Sequence, residues 1–354
     1  MQLHHLLIGS YTNTTLFLLA FDSVSRTLSL NLTIPGYGLH QFVTSNAAKN
    51  RIYATTMSEP PRLFSWSIDE EFRFNHLDTI NTTSSACYRS DNGQYTFSAG
   101  GPTAHIHALD QDGGISQLID EIDFLPSEVI ERVDKTRNAV LYGAHAFDIN
   151  VNNKASIPDL GMKSIYMYDI AANGSVTLLS INLSPTDVDG PRNTHPTQWL
   201  DVYEIGNTQL RHIQRGSAIP DNVRGEFTFR GNTVQPSRDG RYLFTSSRSW
   251  NSPGANGYVA AFALNETGYL AEERALTFYE APVSLGSAGG LRVALWTDKS
   301  NCDPNSLPDY MYLSDTSEGW MFILGWSPSD TSLDLVASYR YIENTTPYEA
   351  TWLD

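Results

Sequence analysis

A unit of strand, polar turn and aromatic-bearing strand recurs along this chain. Residues 41–56 read Gln-Phe-Val-Thr-Ser-Asn-Ala-Ala-Lys-Asn-Arg-Ile-Tyr-Ala-Thr-Thr, and residues 233–248 read Thr-Val-Gln-Pro-Ser-Arg-Asp-Gly-Arg-Tyr-Leu-Phe-Thr-Ser-Ser-Arg. Similar units begin near Ser84, Ser127, Arg192, Leu291 and Tyr348, which makes seven starts at irregular spacing. Multi-strand repeats of about 40 to 50 residues are the mark of a β-propeller. Between the starts, Asp112-Gly113 and Asn173-Gly174 are strong hairpin turns. The last unit, Tyr348 to Asp354, supplies one strand, whereas the first strands, Leu3 to Ser10, Leu16 to Asp22 and Leu28 to Ile34, lack a preceding inner strand. Joining both ends in one blade removes the free sheet edges. The expectation is an all-β fold: a single domain over residues 1–354, a seven-bladed β-propeller closed by pairing of its N- and C-terminal strands.

The composition supports strands and turns, with 18 Tyr, 15 Phe and 7 Trp beside 25 Gly and 17 Pro. Lys plus Arg number 23 against 39 Asp plus Glu, a net charge of -16 that repels phosphate backbones, so no nucleic-acid partner is expected. No apolar run approaches the roughly 20 residues of a membrane span. Asn-x-Ser/Thr occurs at Asn13, Asn31, Asn81, Asn173, Asn182, Asn265 and Asn344, and Pro185 weakens the Asn182 site. Chance would give about four such motifs. The excess points to a secreted or secretory-pathway protein glycosylated at Asn13, Asn31, Asn81, Asn173, Asn265 and Asn344; a cytoplasmic protein with unmodified sequons is the alternative. Met1 shows no signal peptide, because Leu3 to Gly9 already reads as a strand, so a removed leader is expected. Cys87 and Cys302 are too few for a disulfide scaffold. They would bond in an oxidising compartment if the Cys302 loop folds under the channel, which the sequence leaves open.

Several stretches carry a resemblance: Leu3-His-His-Leu-Leu-Ile-Gly-Ser-Tyr-Thr12, Gly190-Pro-Arg192, Glu204-Ile-Gly-Asn207, Arg241-Tyr-Leu-Phe-Thr-Ser-Ser-Arg-Ser-Trp250, Gly257-Tyr-Val-Ala-Ala-Phe262, Ser317-Glu-Gly-Trp320 and Ala350-Thr-Trp-Leu-Asp354. Together they resemble fungal 3-carboxy-cis,cis-muconate cyclases, lactonizing enzymes related to 6-phosphogluconolactonase-type seven-bladed propellers. The resemblance implies a site at the central channel with a His, a Glu and two Arg that grip substrate carboxylates. Arg248 matches the Ser-Ser-Arg arginine, Arg192 the Gly-Pro-Arg arginine, and Glu204 the glutamate. A competing register through His195-Pro-Thr-Gln198-Trp199 puts Gln198 and Gln214 in place of the second Arg and the Glu. The family His is replaced by Glu128 or Val129, and a second one, after a Gly-Gly pair, by Leu291. Lactonization delivers a proton to carbon, for which a positioned acid is worth roughly 100- to 10,000-fold.

His145, in Gly143-Ala-His-Ala, stands near a strand end where it could line the channel, and Trp250 and Tyr203 are candidate pocket walls. Each also has a structural reading: a satisfied strand-end histidine, or aromatic packing between blades. Arg248 itself could pair with an acid between blades. Trp320 reads as core, and His4 and His5 point to opposite faces of the first strand. No His-Glu-x-x-His, Gly-x-Ser-x-Gly, P-loop or dinucleotide fingerprint occurs. No metal or organic cofactor is implied.

Three activities follow. The favoured one rests on a resemblance to the secreted fungal hetero-Diels–Alderases, cyclases of secondary metabolism, and implies joining of a tropolone o-quinone methide to a humulene-type sesquiterpene. Two hydrophobic small molecules need only be oriented, with Arg248 donating to the heterodiene carbonyl. The others are a carboxymuconate lactonizing enzyme and a non-catalytic binding propeller.

Overall fold

Glycine makes the turns that the strand pattern needs. In the computed structural model of the chain, Gly113 and Gly174 take φ values of 75° and 84°, the left-handed backbone that a tight Asp-Gly or Asn-Gly turn requires. The structure describes residues 2–56, 58–131, 143–159, 162–184, 199–225, 229–249, 254–282, 288–296, 309–341 and 345–354. The chain is an all-β propeller. Among the described residues, helix is confined to one short segment, Ser127–Ile130, and a 3-10 turn, Asp221–Val223.

The strands form six four-stranded sheets and one two-stranded sheet among the described residues. The first holds β1 (Leu3–Ser10), β2 (Thr15–Asp22) and β3 (Thr27–Pro35). The second holds β4 (His40–Ser45), β5 (Arg51–Thr56), β6 (Arg62–Ile68) and β7 (Phe74–Asn81). The third holds β8 (Tyr88–Asp91), β9 (Tyr95–Gly100), β10 (Thr103–Leu109) and β11 (Ile115–Asp123). The fourth holds β12 (Asp148–Ile149), β13 (Lys154–Asp159), β14 (Ser164–Ile170) and β15 (Val176–Leu183). A hairpin of β16 (Trp199–Ile205) and β17 (Leu210–Ser217) follows. Then come β18 (Phe229–Pro236), β19 (Tyr242–Ser249), β20 (Tyr258–Ala263) and β21 (Thr277–Glu280). The last full sheet holds β22 (Ala288–Val293), β23 (Asp309–Asp315), β24 (Trp320–Ser327) and β25 (Ser332–Arg340). The C-terminal strand β26 (Pro347–Trp352) returns to the first sheet, in the order β26-β1-β2-β3.

Contacts group the chain into two compact units, Met1–Pro35 with Pro196–Tyr203 and His212–Asp354, and Gly36–His195 with Glu204–Arg211. In the first unit, β26 pairs antiparallel with β1, setting Leu6 opposite Trp352 and Ile8 opposite Ala350. The initial strands β18 and β22 run beside each other, and β22 beside β26. Leu6, Phe21, Tyr312, Ile323 and Trp352 form one of its cores, and Phe244, Leu291, Met311 and Trp326 another. Trp326 is fully buried; a side chain of that size contributes about 3–5 kcal/mol when truncation leaves a cavity. In the second unit, Phe97, Ile106, Phe147, Ile157 and Tyr168 fill the space between the third and fourth sheets.

One repeat start is corrected. The unit expected to open as a strand at Ser127 is instead helical over Ser127–Ile130. Pro126 sits at its N-terminus with φ -57°, a residue whose fixed φ and missing N–H suit a helix start. Among the described residues, the first strand of that sheet is the two-residue Asp148–Ile149. The start near Arg192 lies outside the described residues.

Candidate active site

β19 carries Thr245-Ser246-Ser247-Arg248, and its register with β18 sets Arg230 directly opposite Arg248. Directly opposed residues of an antiparallel pair project from the same face, so two guanidinium groups share one face of this sheet. Arg230 is 5% exposed. Burial first, and then the Arg248 charge, pull its pKa down to about 10. Each guanidinium is a rigid planar fork matched to a carboxylate. The β18–β19 register shifts between Gly231 and Val234, a bulge that re-aims the side chains of Asn232 and Thr233. The freed Thr233 N–H donates to Ser246 Oγ at 3.2 Å. The Tyr348 hydroxyl donates to Asn232 Oδ1 at 2.6 Å, and the Tyr348 ring lies 6.0 Å from Arg248 Cζ, at the edge of cation–π range.

The next residue along β26 is an acid in a strand that is otherwise apolar or neutral. Glu349 is buried, and Gly290 leaves the room for it: a Cβ at 290 would stand 2.7 Å from Tyr348 O and 3.1 Å from the Glu349 carboxyl carbon. Glu349 Oε2 lies 2.7 Å from the Tyr312 hydroxyl, and Thr233 Oγ1 lies 3.5 Å from Glu349 Oε1. Tyr312 has one proton to place. Its oxygen receives Ala350 N–H at 2.8 Å, and Ala350 O stands 3.0 Å away. A carbonyl can only accept. With Glu349 ionised, Tyr312 donates to Glu349 Oε2; with Glu349 protonated, Tyr312 donates to Ala350 O and Glu349 donates to the phenol oxygen. Burial pushes the Glu349 pKa up, against the opposing pull of Arg292 and of hydrogen bonds from Tyr312 and Thr233. Burial and the Glu349 charge push the Tyr312 phenol well above its ordinary range. Two arginine forks and a carboxyl group held toward its neutral form are equipment for gripping a carboxylate and moving a proton.

Of the residues singled out by sequence, Arg248 stands in this cluster. Arg192, Gln198 and Trp250 lie outside the described residues, as do His195, Cys302 and Asn344. Tyr203 is half-buried on β16, its ring 5.2 Å from His212, and burial and the Asp201 charge push its phenol up to about 12. Glu204 sits on the exposed part of the same hairpin and accepts Arg211 Nη2 at 2.6 Å and Nε at 2.9 Å. His145 is half-buried in the second unit, its backbone N–H donating to Pro158 O at 3.0 Å. Gln214 makes a double amide contact with Leu270, at 3.0 Å each way. Glu128 and Val129 are exposed on the short helix, and Leu291 is wholly buried in a core. Cys87 is a free, buried thiol whose pKa burial pushes up to about 12.

Arg230, Tyr312, Tyr348 and Glu349 were not found by sequence reasoning. The available signal for Glu349 was a lone acid inside Pro347-Tyr-Glu-Ala-Thr-Trp352, a strand read as innermost.

The family model described as "Lactonase, 7-bladed beta-propeller" matches residues 5–282. Muconate cycloisomerase 1 of Cutaneotrichosporon cutaneum is 23% identical over 376 residues, covering 99% of this chain and 98% of that protein. Among solved structures, the Pseudomonas aeruginosa periplasmic gluconolactonase PpgL superposes with a TM-score of 0.76 at 15% identity, over 100% of this chain and 99% of its own. A Lactobacillus plantarum protein gives a TM-score of 0.75 at 15% identity, over 100% of both chains.

Proposed function

The chain belongs to the lactonase family of seven-bladed β-propellers, and from that membership we propose that it makes or opens a lactone on a small carboxylate-bearing substrate, without a cofactor. The single observation that carries this reading is the cross-strand pair Arg230 and Arg248, with the buried Glu349 reaching the same strand β18 through Thr233 Oγ1 at 3.5 Å. In the lactone-forming direction, one substrate carboxylate is held by the arginine forks. A second carboxylate oxygen adds to an alkene carbon, forming the C–O bond, and the adjacent carbon takes a proton. Glu349, held toward its neutral form, supplies that proton directly or through Tyr312. The same assembly read backwards removes the proton and expels the carboxylate. The kinship with a muconate cycloisomerase supports this assignment over simple hydrolysis. We further read the six full sheets and the β16–β17 hairpin as seven blades, with the β26–β1 pairing closing the ring.

A second reading is supported by a separate observation. The positions at which the lactonizing family places histidine are an exposed helical turn, at Glu128 and Val129, and a packed core position, at Leu291. A hetero-Diels–Alder cyclase needs no such acid. In that reading Arg248 donates to the o-quinone methide carbonyl and orientation does the rest. Turnover in deuterium oxide separates the two. With 3-carboxy-cis,cis-muconate as substrate, the lactone should carry one solvent deuterium at carbon. A cycloadduct formed from an o-quinone methide and humulene, with no deuterium at carbon and no turnover of the muconate, would replace the lactone reading with the second.

We also propose passage through the secretory pathway, which the sequon positions support. Asn31, Asn81, Asn173 and Asn265 are exposed, Asn13 is half-buried, and Asn344 lies outside the described residues. Asn182 is different: its Nδ2 donates to Ile165 O at 3.1 Å and to Ser180 Oγ at 2.9 Å. Secreted expression should therefore give glycans at the four exposed sites and an unmodified Asn182. Peptide mass mapping after enzymatic deglycosylation in heavy-oxygen water reads this out directly. Unmodified asparagine at all four exposed sites would remove the secretory reading.

A further inference from the structure

A cavity of about 640 Å³ lies in the first unit, between the β16–β17 hairpin and the segments flanking β21. It shares no residue with the Arg230–Arg248–Glu349 cluster. Its volume falls in the range of small organic ligand sites, about 300–1,000 Å³. Trp199 supplies an aromatic wall, and Phe278 a second. Arg224 Cζ stands 4.5 Å from the Trp199 ring centre and Arg215 Cζ 5.7 Å from it. Arg274 is the third arginine of the lining, against Asp221 and Glu273. Two of the three arginines have acidic partners, Arg224 donating to Asp221 Oδ1 at 2.6 Å and Arg215 to Asp201 Oδ1 at 2.7 Å, each with further guanidinium N–H groups to offer.

The walls are braced. Asp201 Oδ1 receives Arg215 Nε at 2.7 Å and approaches His212 Nε2 at 2.8 Å, which fixes the direction of the Arg215 side chain. Below the cavity, Gln214 clamps Leu270 by two hydrogen bonds of 3.0 Å. Gly216 permits the close approach, since a Cβ there would stand 2.7 Å from Phe262 and 3.1 Å from Glu273 O. An aromatic face bearing guanidinium groups in a braced, mainly apolar hollow selects for charge and flatness together: a carboxylate meets the arginines while a ring lies on the aromatic wall.

We propose that this cavity is a second binding site, for a small aryl carboxylate, separate from the Arg248 cluster. The test is titration of 2-naphthoate followed by quenching of tryptophan fluorescence, on the full chain. Wild-type protein should show saturable quenching, and Trp199→Phe should lose most of the saturable signal. Arg224→Gln and Arg274→Gln should each weaken binding by about tenfold, the loss of one charge-assisted contact. Arg274 is exposed, so Arg274→Gln decides the matter if Trp199→Phe fails to fold. Arg248→Ala should leave the affinity unchanged. The neutral 2-naphthalenemethanol should bind at least about tenfold more weakly, and so should inorganic phosphate, an oxyanion that fits the arginines but has no ring for the aromatic wall. Equal binding of the neutral alcohol, binding of phosphate as tight as that of 2-naphthoate, wild-type affinity in Arg274→Gln, or loss of binding in Arg248→Ala would each overturn the assignment.

Discussion

Arg248→Ala should lower kcat/KM by roughly 10- to 1,000-fold, the range for removing one preorganised donor from developing or bound negative charge. Arg230→Ala should fall in the same range, because the two guanidinium groups stand directly opposite each other on one face of β18–β19. The double variant should lose less than the product of the single losses, since two forks that hold one carboxylate act as a unit. Arg248→Lys should not restore the rate: an ammonium carries the charge but cannot present the planar fork. Steady-state kinetics on all four proteins, with thermal melts to confirm folding, check this. Full activity in both single variants would take the arginine pair out of the mechanism, whichever reaction the protein performs.

The sequence made the sheets legible because each repeat carries its own turn chemistry. The units at Gln41 and Thr233 became β4–β5 and β18–β19, and the Asp112-Gly113 and Asn173-Gly174 turns took the left-handed glycines they need. The pairing of the two chain ends was legible from an arithmetic of strands, three at the start and one at the finish. Ser127 misled because Pro126 ahead of it favours a helical start. The site was legible only in part. Arg248 announced itself through a local Ser-Ser-Arg motif. Arg230 became a candidate only when the register put it across from Arg248, and register is decided by packing along the whole hairpin. Glu349 was hidden differently. Its environment is assembled from Gly290, Tyr312 and Thr233, residues remote from it in sequence, and no pattern local to Tyr348-Glu349-Ala350 gives its burial or its pKa.

Glu349→Gln separates the chemical role of this residue from its structural one. The amide keeps the shape and can still donate to the Tyr312 oxygen, but it has no proton to deliver. If Glu349 supplies the proton, turnover should drop by roughly 100- to 10,000-fold, the worth of a positioned general acid, while the fold survives. Stability should respond in the opposite sense at higher pH. The folded-state pKa of Glu349 is raised, above an unfolded value of about 4.3. The folded protein therefore binds the proton more tightly, and the stability this confers is complete below the unfolded pKa. It is lost as pH rises through the raised folded value. Wild-type protein should lose stability across that window relative to Glu349→Gln, in which position 349 no longer titrates. Denaturant melts at a series of pH values from about 4 to 8 read the difference. The same protonation sets the rate: kcat/KM of the wild type should decline as Glu349 ionises. A flat rate profile over that range, with Glu349→Gln fully active, would leave Glu349 as a buried strut and turn the case toward the cycloaddition, which has no proton to move.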